Sequence, residues 1–280
     1  MPLARYQFNP GINREGTALT AEGGWYDGNL VRFRKGFPEK IGGWTKVTEN
    51  SYLGTGRSLH GWVTVNGTEL LGLGTRYKLY IQLGNGFTDI TPIRETNTGT
   101  ATFTCTSGSS TVSVTDSSHG AVEGDFVTFT LAATLGSSNI TATVLNQEYQ
   151  IASITSTNVY TIVAKDTDGN AVTADASVSG GGGGATVAAY QINCGLDVYV
   201  SSSGWGAGIW GASGWGQTTA LADYNQLRLW SMDNFGEDLV ACPRSGGVYY
   251  WDNTNFTTRA KAISDLTNAN LAPTLGLQVL

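Results

Sequence analysis

Proline, cysteine, histidine and methionine are all scarce in these 280 residues, at 6, 3, 2 and 2. Charged residues make up only 14%, and no apolar run approaches the ~20 residues that a membrane-spanning helix needs. Each shortage excludes something. Cys105, Cys194 and Cys242 lie far apart in no metal-ligand spacing, and an odd count argues for free buried thiols over a disulfide framework. His60 and His119 stand in no Ser-His-Asp or Cys-His pattern, and no HExxH, GxSxG, CxxC or dinucleotide fingerprint occurs. A net charge of −6 leaves no basic surplus to grip nucleic acid through its phosphates. The N-terminus has no apolar run of signal-peptide length, so the expectation is a chain made in the cytosol and kept or assembled there. No cofactor, no metal site and no catalytic residue is expected.

What is present is glycine, 38 residues of it, among Thr, Ser, Val and aromatics. This is the composition of short strands and tight turns, and the expected fold class is all-β. The strongest pattern is an internal echo. Gly67–Phe87 slides onto Gly236–Phe256 by 169 positions without a gap, placing Glu69 on Asp238, Leu70 on Leu239, Leu79 on Val248 and Tyr80 on Tyr249. Each copy reads as apolar runs separated by Gly- and Asn-containing turns, preceded by one more strand-like segment. Four short strands joined by tight turns describe a β-propeller blade.

In chain order, residues 1–56 read as a turn-rich arm and first strand. Only Asn29–Arg34 looks like a strand there, and RFRKG (Arg32–Gly36) reads as a solvated charged edge, since no Walker-type Gly-Lys-Ser/Thr follows. Residues 57–97 read as the first blade. Asn66-Gly67 suits a type I′ hairpin turn, Asn85-Gly86 repeats that signal, and Tyr77, Leu79, Ile81 and Leu83 alternate as one buried face. Residues 98–190 lose Trp and almost all bases: seven acids face the single base Lys165. Alternating runs at Thr102–Thr115, Asp125–Ala132, Glu148–Thr155 and Val159–Ala164 predict an inserted antiparallel β domain of sandwich or barrel type. Gly180–Gly184 predicts a flexible exit from it. DTDGN (Asp166–Asn170) lacks the ligands of a calcium loop and reads as a hairpin turn. Residues 191–220 form a Gly/Trp-rich loop, and 221–280 a second blade leading to a further apolar segment, Leu275–Leu280.

Candidate sites are few. In the loop, Trp205, Trp210 and Trp215 recur every five residues, a period of neither strand nor helix. They could pack inward, form an assembly contact, or stack on sugar, since Trp combines large apolar area with a donor. Together with Arg32 and Arg34 they are the candidate assembly residues. Glu237-Asp238 is a carboxylate pair of the kind a glycosidase uses, but its counterpart is Thr68-Glu69, which favours a structural role.

Three segments resemble a known family: FNPGINREGTALTAEGGWYDGNLVRFRKGFPEKIGGW (Phe8–Trp44), GWGAGIWGASGWG (Gly204–Gly216) and LRLWSMDNFGEDLVACPRSGGVYYWD (Leu227–Asp252). The family is the tail nozzle proteins, or tail tubular protein B, of short-tailed bacteriophages. The resemblance implies a β-propeller subunit of a homohexameric ring beneath the portal and its adaptor protein, with tail fibre or spike proteins as neighbours. It implies a virion tail component assembled in the host cytoplasm, through which double-stranded DNA passes without sequence-specific binding and which helps retain the packaged genome. Membrane insertion is not implied, and the family brings no catalytic residues. The inserted domain is similar to small β domains that decorate phage virion proteins. The acidic balance suggests a channel wall that repels phosphates, with Asp116 and Glu123 as candidates to line it. The alternative is a receptor- or glycan-binding tail protein, with the three indoles stacking on sugar.

Overall fold

The computed structural model describes residues 8–20, 22–43, 45–195, 227 and 229–266. Trp205, Trp210, Trp215 and the Leu275–Leu280 segment lie outside the described residues. The chain divides into two units, Met1–Glu49 and Asn50–Leu280.

In the first unit a hairpin pairs β1 (Val31–Arg34) with β2 (Phe37–Lys40). β2 was not expected from the sequence, because Pro38 and two charges hide its strand pattern. Lys35 and Gly36 both have positive φ (51° and 86°), the requirement of a type I′ turn. Trp25 lies between Phe8 and Phe33, with ring centroids 6.0 and 6.2 Å away, yet none of the described residues of this unit is buried.

The second unit opens with a four-stranded antiparallel meander: β3 (Gly56–Val63), β4 (Glu69–Thr75), β5 (Leu79–Leu83) and β6 (Gly86–Asp89). Its turns correct two expectations. At Asn66-Gly67 only Gly67 has positive φ, and Thr64 N–H donates to Thr68 O while Gly67 N–H donates to Thr64 O. That is a turn closed by a glycine bulge, because the loop is one residue too long for type I′. The next loop is Gly84-Asn85 rather than Asn85-Gly86, since Leu83 pairs with Gly86 and positive φ falls on Gly84 alone of the two. β5 is also buried on both faces, with Tyr80 and Gln82 buried on one and Leu79 and Ile81 on the other, while Leu83 is exposed. The reason is local: Tyr52 packs over Tyr80 and Phe87 (centroids 6.3 and 5.2 Å) and covers the second face.

A two-layer sandwich follows. Its strands are β7 (Ile93–Thr98), β8 (Thr102–Cys105), β9 (Thr111–Thr115), β10 (Phe126–Thr130), β11 (Glu148–Gln150), β12 (Ser153–Ser156), β13 (Val159–Val163), β14 (Val178–Gly181) and β15 (Val187–Gln191), with one helical turn, Ala142–Leu145. The sheet β11-β10-β15-β7 faces the sheet β12-β13-β9-β8-β14. Between them Phe103, Val112, Val114, Tyr160 and Ile162 from one layer meet Val127, Phe129, Tyr149, Ala188 and Tyr190 from the other. Glu148–Thr155, expected as one strand, breaks into β11 and β12, which lie in different layers. The glycine run is not a flexible exit. Gly181 pairs with Phe103, Ala133 N–H donates to Gly182 O at 2.7 Å, and a Cβ on Gly182 would run into the Phe103 ring. Glycine is there because backbone and ring approach too closely for any side chain. The sandwich enters and leaves side by side: Gln191 pairs with Ile93, and Ile192 N–H donates to Pro92 O.

A second meander comprises β16 (Trp230–Phe235), β17 (Asp238–Pro243), β18 (Tyr249–Trp251) and β19 (Lys261–Ala262). It packs face to face on the first meander about Trp62, Leu70, Leu79, Ile81, Trp230, Leu239, Ala241 and Trp251. Trp230 lies over Gly74, where a Cβ would sit 2.5 Å from the indole, and its Nε1–H donates to Thr75 O at 2.8 Å. Trp62 reciprocates by donating to Glu237 O at 3.0 Å.

Antiparallel partners alternate between hydrogen-bonded and non-hydrogen-bonded pairs, so the two faces of a meander differ in kind. The Thr64–Thr68 bond makes His60/Gly72 and Trp62/Leu70 bonded pairs. Arg244 N–H donating to Leu229 O makes Asp233/Val240 bonded and Met232/Ala241 not. The first meander therefore presents the residues of β4 that bond back to their preceding strand. The second presents residues of β17 that bond forward. The two sheets stack front to back. This also shifts the internal repeat by one residue: Thr68, not Glu69, is the counterpart of Asp238. The ungapped alignment matched Leu70 with Leu239 because both point into the shared core from opposite sides, and a one-residue slip exchanges the faces of a strand.

Among the described residues the sheets form neither a closed ring nor a closed barrel, and no helix is long and apolar enough to cross a membrane.

Candidate functional site

The two sequence-expected residues that are described, Arg32 and Arg34, stand on the exposed edge of the β1–β2 hairpin. Arg32 Nε meets Glu39 Oε2 at 3.1 Å, an exposed pair of small energetic weight. The other candidates, Trp205, Trp210 and Trp215, lie outside the described residues.

The polar groups that invited a chemical reading hold the fold. Glu237 accepts from Val65 N–H at 2.6 Å. Asp238 accepts from the Tyr250 hydroxyl and from Asn253 N–H. Asp166 accepts from the N–H groups of Asp168 and Asn170, closing the hairpin turn expected at DTDGN. His60 stacks on Trp62 (5.5 Å) and lies 3.2 Å from Asn234 Oδ1, joining the two meanders. His119 is buried against Tyr160 and Tyr190, its Nδ1 accepting from Ala121 N–H. Among the described residues no three His, Cys, Asp or Glu side chains converge as a metal site would require.

Asp116 corrects the channel-lining expectation. It is fully buried in the sandwich, accepting from Asn97 Nδ2 (2.9 Å), Thr100 Oγ1 (2.6 Å) and the Tyr190 hydroxyl (2.6 Å). The Tyr160 hydroxyl extends the network at 2.9 Å from that of Tyr190. A carboxylate with three donors inside a core is a folding element, and composition alone cannot separate it from a surface acid. Glu123 remains exposed.

The most developed polar constellation is a knot of four charges where three parts of the second unit meet. Lys78 comes from the β4–β5 turn, Asp89 from β6, Glu148 from β11 of the sandwich, and Arg259 from the segment before β19. Lys78 Nζ lies 2.7 Å from Asp89 Oδ2 and 2.6 Å from both oxygens of Glu148. Arg259 lies 3.2 Å from Asp89 and 3.7 Å from Glu148, and donates to Thr91 O at 2.8 Å. Gln191 Nε2 donates to Glu148, and the Lys78 ammonium lies 4.9 Å from the Phe126 ring centre. Burial pushes the Asp89 carboxyl up, but the attraction of Lys78 and Arg259 and the hydrogen bonds from Lys78 and Thr91 outweigh it and hold the group below its ordinary value. Burial raises the neighbouring Tyr80 phenol to about 12. Two cations and two anions leave the knot neutral overall. Only the Lys78 side chain is buried, at 4% exposed, while Asp89, Arg259 and Glu148 keep 23–31%; water screens their pairs, and the main cost of losing a carboxylate is the buried ammonium left short of a partner. Sequence reading missed this site, since each member alone looks like a solvated charge.

No known protein family matches the chain, and no curated protein matches it. Among solved structures, phage phi92 endosialidase aligns with 81% of this chain and 32% of its own length, at 14% identity and a TM-score of 0.27. The chain thus spans about a third of that protein, and the likeness is too low to assign a fold.

Proposed function

We propose that this chain is a structural protein of a phage virion, a subunit of the ring-shaped tail nozzle through which DNA leaves and which helps retain the packaged genome. In this reading β3–β6 and β16–β19 are successive blades of a β-propeller. The observation that carries it is the front-to-back stacking of the two meanders. A two-fold sandwich would oppose faces of the same kind, whereas propeller blades repeat by rotation and oppose unlike faces. The segments Phe8–Trp44 and Leu227–Asp252 add the resemblance to the nozzle family, and Leu227–Asp252 spans β16, β17 and β18.

The remaining assignments follow from the same reading. The subunit forms a homohexamer, contacts the portal-proximal adaptor and the tail fibres or spikes, and lets double-stranded DNA pass without specific contacts. A closed ring of identical subunits needs heterologous interfaces, and Arg32, Arg34 and the three indoles are the proposed contacts. The exposed acids Glu123, Asp168 and Asp175, rather than Asp116, are available to repel phosphates.

Quantitative mass spectrometry of purified virions tests the proposal. Half as many copies as portal subunits is expected for an axial ring beneath a portal of twice its symmetry. A clearly larger multiple of three would move the protein to peripheral fibres and favour receptor or glycan binding. Absence from particles would overturn both.

A further inference from the structure

The sandwich is joined to the rest of its unit by two chain segments and a polar seam. Two chain segments cross between them, at Ile90–Ile93 and Gln191–Cys194, tied side by side by the Ile192–Pro92 hydrogen bond. Among the described residues no strand of the sandwich packs along a strand of either meander. Across the gap the charge knot lies beside a ring contact, where Tyr77 and Phe126 meet edge to face at 5.6 Å. Glu148 is the knot's one charged member from the sandwich, and it grips Lys78 of the first meander and Arg259 of the second together.

We infer that Glu148 is a latch: it seats a separately folded sandwich on both meanders at once, and its release lets the sandwich swing about the paired crossing segments. Three features support this. The sandwich has a core of its own, which shares no buried residue with the core between the meanders, so it has no need of the seat to stay folded. The crossing segments lie next to each other and can bend together as one hinge, which two widely spaced connections could not do. The knot is balanced only when Glu148 is engaged; without it Lys78 and Arg259 share the single carboxylate of Asp89. The inference does not depend on the nozzle reading and holds for any assembly that contains this unit.

The three cysteines report on it separately. Cys194 is buried where the exit segment meets the meander core, its thiol 3.8 Å from the O of Tyr77, whose ring faces Phe126 across the seam. Cys105 lies in the sandwich core and Cys242 in β17, both buried. The experiment is thiol labelling of the full chain under native conditions, resolved by peptide mapping, in the wild type and in Glu148→Gln. The expected result is labelling of Cys194 at least about tenfold faster in the variant, an opening more favourable by about 1.4 kcal/mol, with Cys105 and Cys242 as protected as before. Unchanged Cys194 labelling overturns the latch. Should the variant expose Cys105 too, the pair is removed as a unit by Lys78→Met with Glu148→Met, which leaves no unpaired lysine in the knot. Faster Cys194 labelling with Cys105 protected then supports the latch, and protection of both overturns it.

Discussion

The sandwich and the paired meanders are both built from short antiparallel strands, but they end differently. In the sandwich the two layers turn their apolar faces to each other and enclose a core of 21 buried residues among those described. The meanders share a core of 12, two of which, Ile192 and Cys194, come from the segment leaving the sandwich. Their stacking is front to back, so it has a direction, and the outer side of the first meander leaves Leu59 and Val63 exposed at 69% and 60%. One body closes its apolar faces on each other, and the other leaves apolar side chains on an open outer face. Burial follows from how faces are paired, and not from strand content alone.

The sharpest way to break the comparison is Trp230→Ala. The indole is 5% exposed, fills the space over Gly74 and donates to Thr75, so its loss is expected to cost about 3–5 kcal/mol. The cost should fall on the meanders alone: chemical denaturation followed by circular dichroism should split into two steps, with the sandwich melting at its wild-type midpoint. A single shifted transition would mean that the two bodies fold as one. The converse change, Asp116→Ala, strands three donors inside the sandwich. It is expected to cost about 2–3 kcal/mol even if water enters the vacated space, lowering only the sandwich midpoint.

Alkaline titration separates the bodies more gently. Burial chiefly, with nearby acidic groups adding to it, pushes Tyr80 and Tyr249 in the meanders up to about 12, and it raises Tyr160 and Tyr190 in the sandwich still further. A phenol held protonated by the fold contributes stability that is whole below the ordinary value of ~10 and lost as pH rises through the folded value. Phenolate absorbance should therefore show the meander tyrosines ionising near pH 12 and the sandwich pair only on unfolding. Ionisation of all four near the ordinary value would contradict their burial. The smallest effect is expected for Arg32→Ala, where loss of an exposed ion pair should change stability by less than about 0.5 kcal/mol, while weakening any assembly that uses this edge.

Much of the strand inventory was legible because apolar alternation and glycine turns leave marks a few residues long. Thr102–Thr115 and Val159–Ala164 fold where their patterns place them. What escaped reading depends on partners. Gly84 rather than Gly86 supplies the positive φ of its turn because the β5–β6 register decides which residues form the loop. The Gly180–Gly184 run looked like a linker because nothing nearby in sequence announces the Phe103 ring it must clear. The charge knot was illegible for the same reason: Lys78 is 70 residues from Glu148 in sequence, and Arg259 is farther still. The repeat was found, but one residue out, since side-chain identity tracks which core a residue faces and only the hydrogen-bond ladder tracks its true counterpart.

The side-by-side entry and exit of the sandwich has an evolutionary consequence. Ile93 and Gln191 are ladder partners, so the chain leaves the meanders and returns to them across a gap of about 5 Å, the spacing of any two paired strands. A gap that narrow can be bridged by a two-residue turn or by a whole domain with neighbouring termini, and an exchange has only to supply a new partner for Lys78 and Arg259 where Glu148 now stands. Pro92 and Ile192 thus mark a socket at which lineages could gain, lose or trade a module while keeping the stacked sheets unchanged.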